Sequence, residues 1–233
     1  MDSGRFKSPW ISISDMMTGL MMIFLFISVS YSYQINEKSK DVTEKQENIA
    51  DIVQEWKDYK KVIADDLHKE FDKDLKKWDA SIDDDNLSFR FESPEVLFKA
   101  GKSQVTPLFD EILSDFWPRY ISVLNRHDYY IREIKIEGHT SSEWSSSVTR
   151  EESYFLNMQL SQDRSRNVLH ACYSNTSKIF KEWIISSITA NGFSFSRLMY
   201  DEEGNEDIDK SRRVEFTIMV DSETKINEIS DKL

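Results

Sequence analysis

The chain has 233 residues, a formal net charge of −12 and a single cysteine. This length leaves room for a membrane span, a connector and one domain of ordinary size. The negative charge argues against a nucleic-acid partner, because phosphate contacts need clustered Lys and Arg. Cys172 alone cannot form an intramolecular disulfide or a thiol site for zinc. Since the four histidines are scattered and no nucleophile-elbow or glycine-rich phosphate motif occurs, we expect no catalytic residues, no bound metal and no cofactor.

Residues 10–33 form one apolar run, WISISDMMTGLMMIFLFISVSYSY. About 20 apolar residues suffice for a helix to cross a bilayer core of about 30 Å. The run is too long for a signal peptide and no small-residue cleavage site follows it. We therefore predict a tail over residues 1–9 and a transmembrane helix over 10–33. Arg5 and Lys7 precede the span, so positive-inside reasoning places the N-terminus in the cytoplasm and the rest across the membrane.

The predicted span contains one ionisable residue, Asp15. A carboxylate at the centre of a span costs about 2.5–3.5 kcal/mol on insertion scales. Asp15 could lessen this cost by reaching towards the lipid headgroups. Alternatively, it faces a partner helix or a water-filled path and takes up an ion. Thr18 lies three residues on, on the same helical face, and Gly19 would let another helix approach closely. We favour an ion-translocation site at Asp15 and Thr18, for which H⁺ and Na⁺ remain equally suitable.

Residues 34–86 are predicted to be a helical connector, because neither Gly nor Pro occurs between Gly19 and Pro94. Apolar residues recur in it at intervals of seven, at Ile35, Val42, Ile49, Trp56 and Ile63. This spacing favours a parallel coiled coil of two chains, although charged residues interrupt the second apolar position of the heptad. The alternative is an amphipathic helix that folds back on its own domain.

Residues 87–233 are predicted to form one domain. Residues 87–91 alternate between apolar and polar, which indicates a half-buried strand, and Thr106-Pro107 is typical of a helix start. The remaining predicted segments are a loop over 96–102, a strand over 131–138, a polar loop over 139–150, a helix over 157–173, an ambiguous segment over 180–189, a strand over 194–200, an acidic loop over 201–209 and a strand over 213–220. This order predicts an α/β sandwich with helices on one face of a small mixed sheet.

Three ordered motifs carry a resemblance to a known family: IKIEGHTS at 134–141, NMQLSQDRSRNV at 157–168 and SRRVEFTI at 211–218. Together they resemble the OmpA/MotB-type peptidoglycan-binding domain, whose pattern is a strand ending in GHTD, a helix opening N-x-x-L-S-x-x-R and a strand opening N-R-R-V-E. The segment SDMMTGLMMIFLF at 14–26 is similar to MotB and closer still to the ZorB family, the MotB-like subunits of the Zorya anti-phage system. The two resemblances cover nearly the whole chain.

The resemblance implies a peptidoglycan-binding site. The family's arginine falls on Arg164, which in relatives binds the carboxylate of a diaminopimelate side chain in the peptidoglycan stem. The family's Asp, which answers the ligand's ammonium, is Ser141 here, and Glu143 could take its place. The other matching positions are Thr140, Asn157, Leu160, Arg212 and Arg213. For Arg212 and Arg213, salt bridges within the domain are as good an explanation as ligand contact.

The resemblance also implies a function, that of a stator subunit of an ion-driven rotary motor in the bacterial inner membrane. Two copies would pair inside a pentameric ring of a multi-span MotA-like (ZorA-like) partner, with Asp15 carrying the ion and the periplasmic domain anchored to peptidoglycan. A flagellar-type stator and a passive membrane-to-wall tether are the alternatives. A wall-degrading enzyme would need a catalytic pair, for which Glu137, His139 and Glu143 are the only candidates near a motif.

Overall fold

The computed structural model describes residues 9–145 and 147–221, with side chains from residue 13 onward. The described residues fall into two compact units, one up to Gln54 and one from Glu55. The first helix, α1 (Pro9–Trp78), runs through the first unit and into the second. It is long and apolar enough to cross a membrane by length and composition, with a mean hydropathy of 1.8 in its most apolar window. Residues 1–8 of the predicted tail (1–9) and residues 222–233 lie outside the described part, and Pro9 is the first residue of α1.

The C-terminal unit is built around a five-stranded sheet in the order β1-β2-β5-β3-β4. Neighbouring strands are antiparallel except β3 and β4, which are parallel. A parallel pair needs a crossover, and helix α4 provides most of it. The elements after α1 are β1 (Ala80–Asp83), β2 (Ser88–Phe91), α2 (Pro94–Leu97), α3 (Pro107–Asn125), β3 (Ile131–Gly138), α4 (Arg150–Ser174), α5 (Lys181–Ser187), β4 (Ile188–Gly192), α6 (Ile208–Ser211) and β5 (Val214–Val220).

The core lies between the apolar face of the sheet and the helices. Alternate residues of a strand point to one face, and this alternation puts Phe89 and Phe91 of β2 beside Phe216 of β5. Phe116 of α3 contacts all three rings, with centroids 4.6–5.2 Å away. These distances are typical of aromatic pairs that contribute beyond their buried area. The fold class predicted from the sequence, a long apolar helix followed by a mixed α/β domain, is confirmed.

The end of α1 belongs to this core. Ile63, Leu67 and Phe71 are fully buried and Trp78 is 3% exposed, in the same hydrophobic cluster as the sheet residues. Arg119 of α3 holds this part of α1 against the domain through ion pairs with Glu70 (2.7 Å) and Asp74 (2.9 Å). The predicted domain start at residue 87 is therefore too late, because residues from Glu55 onward share the domain's compact unit. Ile63, one of the predicted heptad positions, packs against its own chain and is therefore not available to a second helix. The coiled coil over residues 35–49 stays a prediction.

Several predicted elements are confirmed and others are corrected. Strands β2, β3 and β5 and helix α3 lie where the patterns place them. The predicted strand over 194–200 is wrong. Residues 194–197 form turns, Tyr200 makes an isolated bridge with Glu206, and the strand is β4, shortly before them. Ser194 has φ +51°, which breaks an extended segment. Helix α4 begins seven residues before the predicted start, because Thr149 and Glu152 form a capping box.

Candidate functional site

Helix α4 packs unusually close to the strands β3 and β4. A Cβ added at Gly138 would lie 2.4 Å from the Ser161 carbonyl oxygen, and one at Gly192 would lie 2.4 Å from the Gln162 backbone nitrogen. Each glycine is the last residue of its strand, and the two are paired with each other in the parallel register of β3 and β4. Only residues without a side chain permit this approach, which brings α4 beside the loop that follows β3.

Polar side chains of α4 fix this position. The Gln162 side chain donates to the Ala190 carbonyl (3.0 Å) and accepts from the Gly192 backbone nitrogen (2.8 Å). Ser161 Oγ accepts from the Ser194 backbone nitrogen at 3.0 Å. These hydrogen bonds to β4 and to the residue shortly after it fix the position of α4 against the sheet.

The result is a pocket of about 300 Å³. One side of it is lined by three segments: the loop after β3, one face of α4 and the residue that follows α6. The α4 residues at 157, 160 and 164 share a face because they are three and four residues apart. All seven residues predicted for ligand binding meet here: Thr140, Ser141, Glu143, Asn157, Leu160, Arg164 and Arg212.

The sequence patterns missed the other wall of the pocket. It consists of α2 and the loop after it, together with an aromatic residue next to Glu143: Pro94, Glu95, Phe98, Ala100, Gly101 and Trp144. None of these residues lies in a motif of the family pattern or in a periodic segment. Only the chain fold, which places α2 opposite α4, brings them to the site.

Arg164 is the central charge of the pocket and is only 8% exposed. Its Nε donates to the Lys102 carbonyl oxygen at 3.0 Å, and its guanidinium carbon lies 4.8 Å from the centroid of the Phe98 ring. Burial, with a smaller contribution from Arg212, lowers the pKa of Arg164 to about 10. Among the described residues no carboxylate lies within 4.0 Å of it, so a buried cation here lacks an internal counter-ion.

The acidic groups of the pocket lie at its rim. Ser141, in the place of the family's Asp, is 4% exposed and carries no charge. Glu95 and Glu143 line the pocket and are exposed. Arg212 is paired with Asp209, with Nη2 and Oδ1 2.7 Å apart. The pocket therefore offers a buried positive charge at its base and free carboxylates at its mouth, an arrangement complementary to a zwitterionic ligand.

A buried ionic cluster lies on the polar face of the sheet. Glu137 and Glu215 are directly opposed on β3 and β5, which would be repulsive without cations. Arg90 bonds to Glu215 at 3.0 Å and Arg197 bonds to Glu137 at 3.1 Å. Arg213 also pairs with Glu215 and is 5% exposed, so for Arg213 the salt-bridge explanation is the one the geometry supports.

His139 lies against this cluster and is 1% exposed. Its ring stacks on Phe193, and its Nε2 is 3.7 Å from Glu137 Oε2, too far for a hydrogen bond. Glu137, His139 and Glu215 are close enough to share a metal ion. However, arginines already neutralise both carboxylates, so a bound dication would add positive charge that nothing in the buried cluster compensates.

The two residues predicted for ion translocation lie in the other unit, on the apolar part of α1. Asp15 and Thr18 are both exposed in the single chain. The Thr18 hydroxyl donates to the Ser14 carbonyl at 2.8 Å, so its proton is occupied and its oxygen lone pairs remain free to bind a cation.

Comparison with known proteins agrees with this geometry. Residues 97–212, which include the whole α4 face and most of the pocket, match the OmpA family. The fold and the pocket thus define the C-terminal unit as an OmpA-family domain. The chain is 39% identical over 221 residues to the Zorya protein ZorB of Escherichia coli, an alignment that covers 94% of this chain and 91% of that protein. The chain belongs to the ZorB family, as its motifs indicate.

A solved structure shows the same fold. The crystal structure of a MotB-like protein from Desulfovibrio vulgaris superposes with a TM-score of 0.51 at 21% identity. The match covers 72% of this chain and 98% of that chain. The likeness at this identity concerns the arrangement of helices and strands.

Proposed function

We propose that the chain is the stator subunit of an ion-driven inner-membrane motor in anti-phage defence, anchored to peptidoglycan by its C-terminal domain. The observation that carries the anchor is the pocket around Arg164, where seven predicted residues from three segments meet at a buried cation that has no counter-ion among the residues the structure describes. A planar guanidinium matches a carboxylate through two parallel hydrogen bonds, and such pairs are strongest when shielded from water.

The ligand of this pocket is the diaminopimelate-containing stem peptide of peptidoglycan. Its carboxylate would reach the Arg164 guanidinium, and its ammonium would meet the acidic rim. Because Ser141 cannot supply a negative charge, Glu143 takes this role, and Glu95 on the opposite wall is placed to assist it.

Arg164→Ala tests the anchor. Removing one partner of a buried charge pair costs about 2–5 kcal/mol, so the full-length variant should no longer sediment with purified peptidoglycan. Arg164→Lys keeps the charge without the bidentate geometry and should bind weakly. Both variants are compared with wild type by thermal unfolding, so that loss of binding is separated from loss of fold.

Arg166→Ala is the matched control for this experiment. Arg166 lies two residues on in the same helix, its side chain is 68% exposed, and it pairs with Asp163 rather than lining the pocket. Its removal should leave sedimentation unchanged. Unchanged sedimentation of a folded Arg164→Ala variant would move the binding site elsewhere.

Asp15 is proposed as the ion carrier. Taking up H⁺ or Na⁺ neutralises the carboxylate, and release on the cytoplasmic side restores its charge. An ion that falls through about 100 mV releases ~2.3 kcal/mol per elementary charge, enough to shift an interface between two states. Two copies of the chain, inside a ring of a MotA-like multi-span partner, would convert this cycle into rotation, with the N-terminus in the cytoplasm.

Asp15→Asn tests the carrier, since the amide keeps the shape but cannot ionise. With the partner co-expressed, we expect loss of ion flux and of protection against phage. Asp41→Asn, beyond the predicted span on the same helix, is the control and should retain both. Flux and protection that survive Asp15→Asn would leave a passive tether, and such a tether would purify without a multi-span partner.

A further inference from the structure

A large aromatic side chain, Trp144, lies at the mouth of the pocket and has no stacking or hydrogen-bonding partner within the part of the chain that the structure describes. Trp144 lines the pocket and is 40% exposed. Among the described residues, its ring stacks on no other ring and its indole N–H reaches no acceptor, whereas the core aromatic rings around Phe116 and Trp117 are packed and buried. An exposed indole of this kind retains unfavourable contact with water that a ligand could remove.

The loop that carries Trp144 is held at both ends. Glu206 accepts from the Ser142 backbone nitrogen at 2.8 Å and also bonds its hydroxyl. On the other side, the Thr149 backbone nitrogen donates to Glu152 at 2.8 Å as part of the α4 capping box. Trp144 therefore starts from a restricted position, which lowers the entropy that a ligand must offset on binding.

We propose that Trp144 is a stacking platform for a saccharide ring of the glycan strand, so that the site reads sugar as well as stem peptide. This inference rests on the proposed peptidoglycan-binding function. The pocket of about 300 Å³ can hold the end of a stem peptide but little more, so the attached sugar must lie at its mouth.

The chemistry of the rim suits a neutral sugar. The C–H groups on one face of a pyranose are weakly positive and pack on the negative face of an aromatic ring. A sugar adds no charge that would disturb the pairing of a carboxylate with Arg164. The exposed hydroxyls of Ser145 and Ser147 lie in the same loop and can hydrogen-bond with sugar hydroxyl groups.

The test compares two ligands on the full-length chain in nanodiscs by calorimetry. One is the free diaminopimelate-containing stem peptide and the other is the same peptide attached to its N-acetylated disaccharide. Wild type should bind the disaccharide-peptide about tenfold more tightly than the free peptide, a factor within the range of aromatic stacking. Trp144→Ala should abolish this difference by weakening binding of the disaccharide-peptide about tenfold more than binding of the free peptide, and Trp144→Tyr should restore most of the difference.

The control is Tyr129→Ala, which removes an aromatic residue that is 73% exposed and does not line the pocket. It should change neither affinity. An equal loss of both ligands in a folded Trp144→Ala variant, or a disaccharide preference that survives this variant, would overturn the inference while the proposed function stands. Failure of wild type to bind either ligand would overturn the function itself.

Discussion

Burial has different consequences for the charges of two side chains in the C-terminal domain, Arg164 and His139. Arg164 is buried beside Phe98 and stays a cation at neutral pH, as its proposed role in binding an anionic ligand requires. His139 is buried against Glu137, Arg213 and Glu215, and burial, opposed by the neighbouring carboxylates, lowers its pKa. The imidazole is therefore neutral in the folded protein at neutral pH. The same solvent exclusion thus leaves a charged guanidinium in one case and a neutral imidazole in the other.

His139 should make the domain less stable in acid. Its pKa is lower in the folded state than the ordinary value of about 6.5 in the unfolded chain. The unfolded state therefore binds more protons as the pH falls below about 6.5, and stability decreases there. Between pH 7.5 and 5.5, we expect the melting temperature of wild type to fall by more than that of His139→Gln, as measured by thermal unfolding.

His68 provides the control of opposite sign. Its side chain lies between Asp72 (2.6 Å) and Asp84 (2.9 Å), and the bond to Asp72 is the main reason that its pKa is raised. Its contribution is complete below about pH 6.5 and is lost as the pH rises through the folded-state pKa. His68→Gln should therefore lower stability more in acid than at neutral pH. A His139→Gln variant with the acid sensitivity of wild type would contradict the assignment to His139.

At the scale of elements, short polar interactions determine where α4 lies. Its capping box sets the start of the helix, and the glycines at the ends of β3 and β4 allow its backbone to touch the sheet. The capping box is readable in the sequence as Thr149-Arg150-Glu151-Glu152, with Glu152 three residues after Thr149, although the hydrophobic pattern does not show it. The position of Gly192 cannot be read in this way, since β4 has only one strongly buried apolar residue, Ile188.

The apolar repeat of α1 leads to a prediction for the pairing of two chains. Val42 and Ile49 are 53% and 42% exposed in the single chain, so their apolar side chains are accessible to a second chain. In a parallel coiled coil equivalent positions of this type face each other, within the distance of about 7 Å that a disulfide requires. We expect Val42→Cys and Ile49→Cys to form covalent dimers on mild oxidation of membranes, detected by non-reducing electrophoresis.

Two features make this experiment clean. The native Cys172 is fully buried, so it should not form cross-links itself. Glu47→Cys, on the outer face of the predicted heptad, serves as the matched control and should remain monomeric. Cross-linking that is equal at positions 42, 47 and 49 would refute a specific seam.

At the scale of the whole molecule, the independent domain is longer than its motifs suggest. A fragment of residues 55–233 should unfold cooperatively, whereas a fragment of residues 87–233 should not. The shorter fragment loses Ile63, Leu67, Phe71 and Trp78 from the core, at about 1.5–3 kcal/mol each. That total is comparable to the entire stability of a typical domain, about 5–15 kcal/mol. Thermal unfolding followed by near-ultraviolet circular dichroism measures the difference.

The longer fragment is the control, because it retains every residue of α1 that belongs to the domain's hydrophobic cluster. It also retains β1, which covers the edge of β2. A fragment from residue 87 that melts cooperatively at the temperature of the longer one would show that α1 merely rests on a complete domain.

The sequence by itself determined the apolar helix with its carboxylate, the strands β2, β3 and β5, and seven of the residues that line the pocket. Local periodicity and ordered motifs encode these features, because each depends on residues close together in the chain or on a pattern of fixed spacing. Only the tertiary structure decided that the end of α1 enters the core, that β4 forms the sheet edge, and that Glu95 and Trp144 face Arg164 across one pocket. These are contacts between distant segments, and no local pattern specifies which distant surface an apolar or polar side chain will meet.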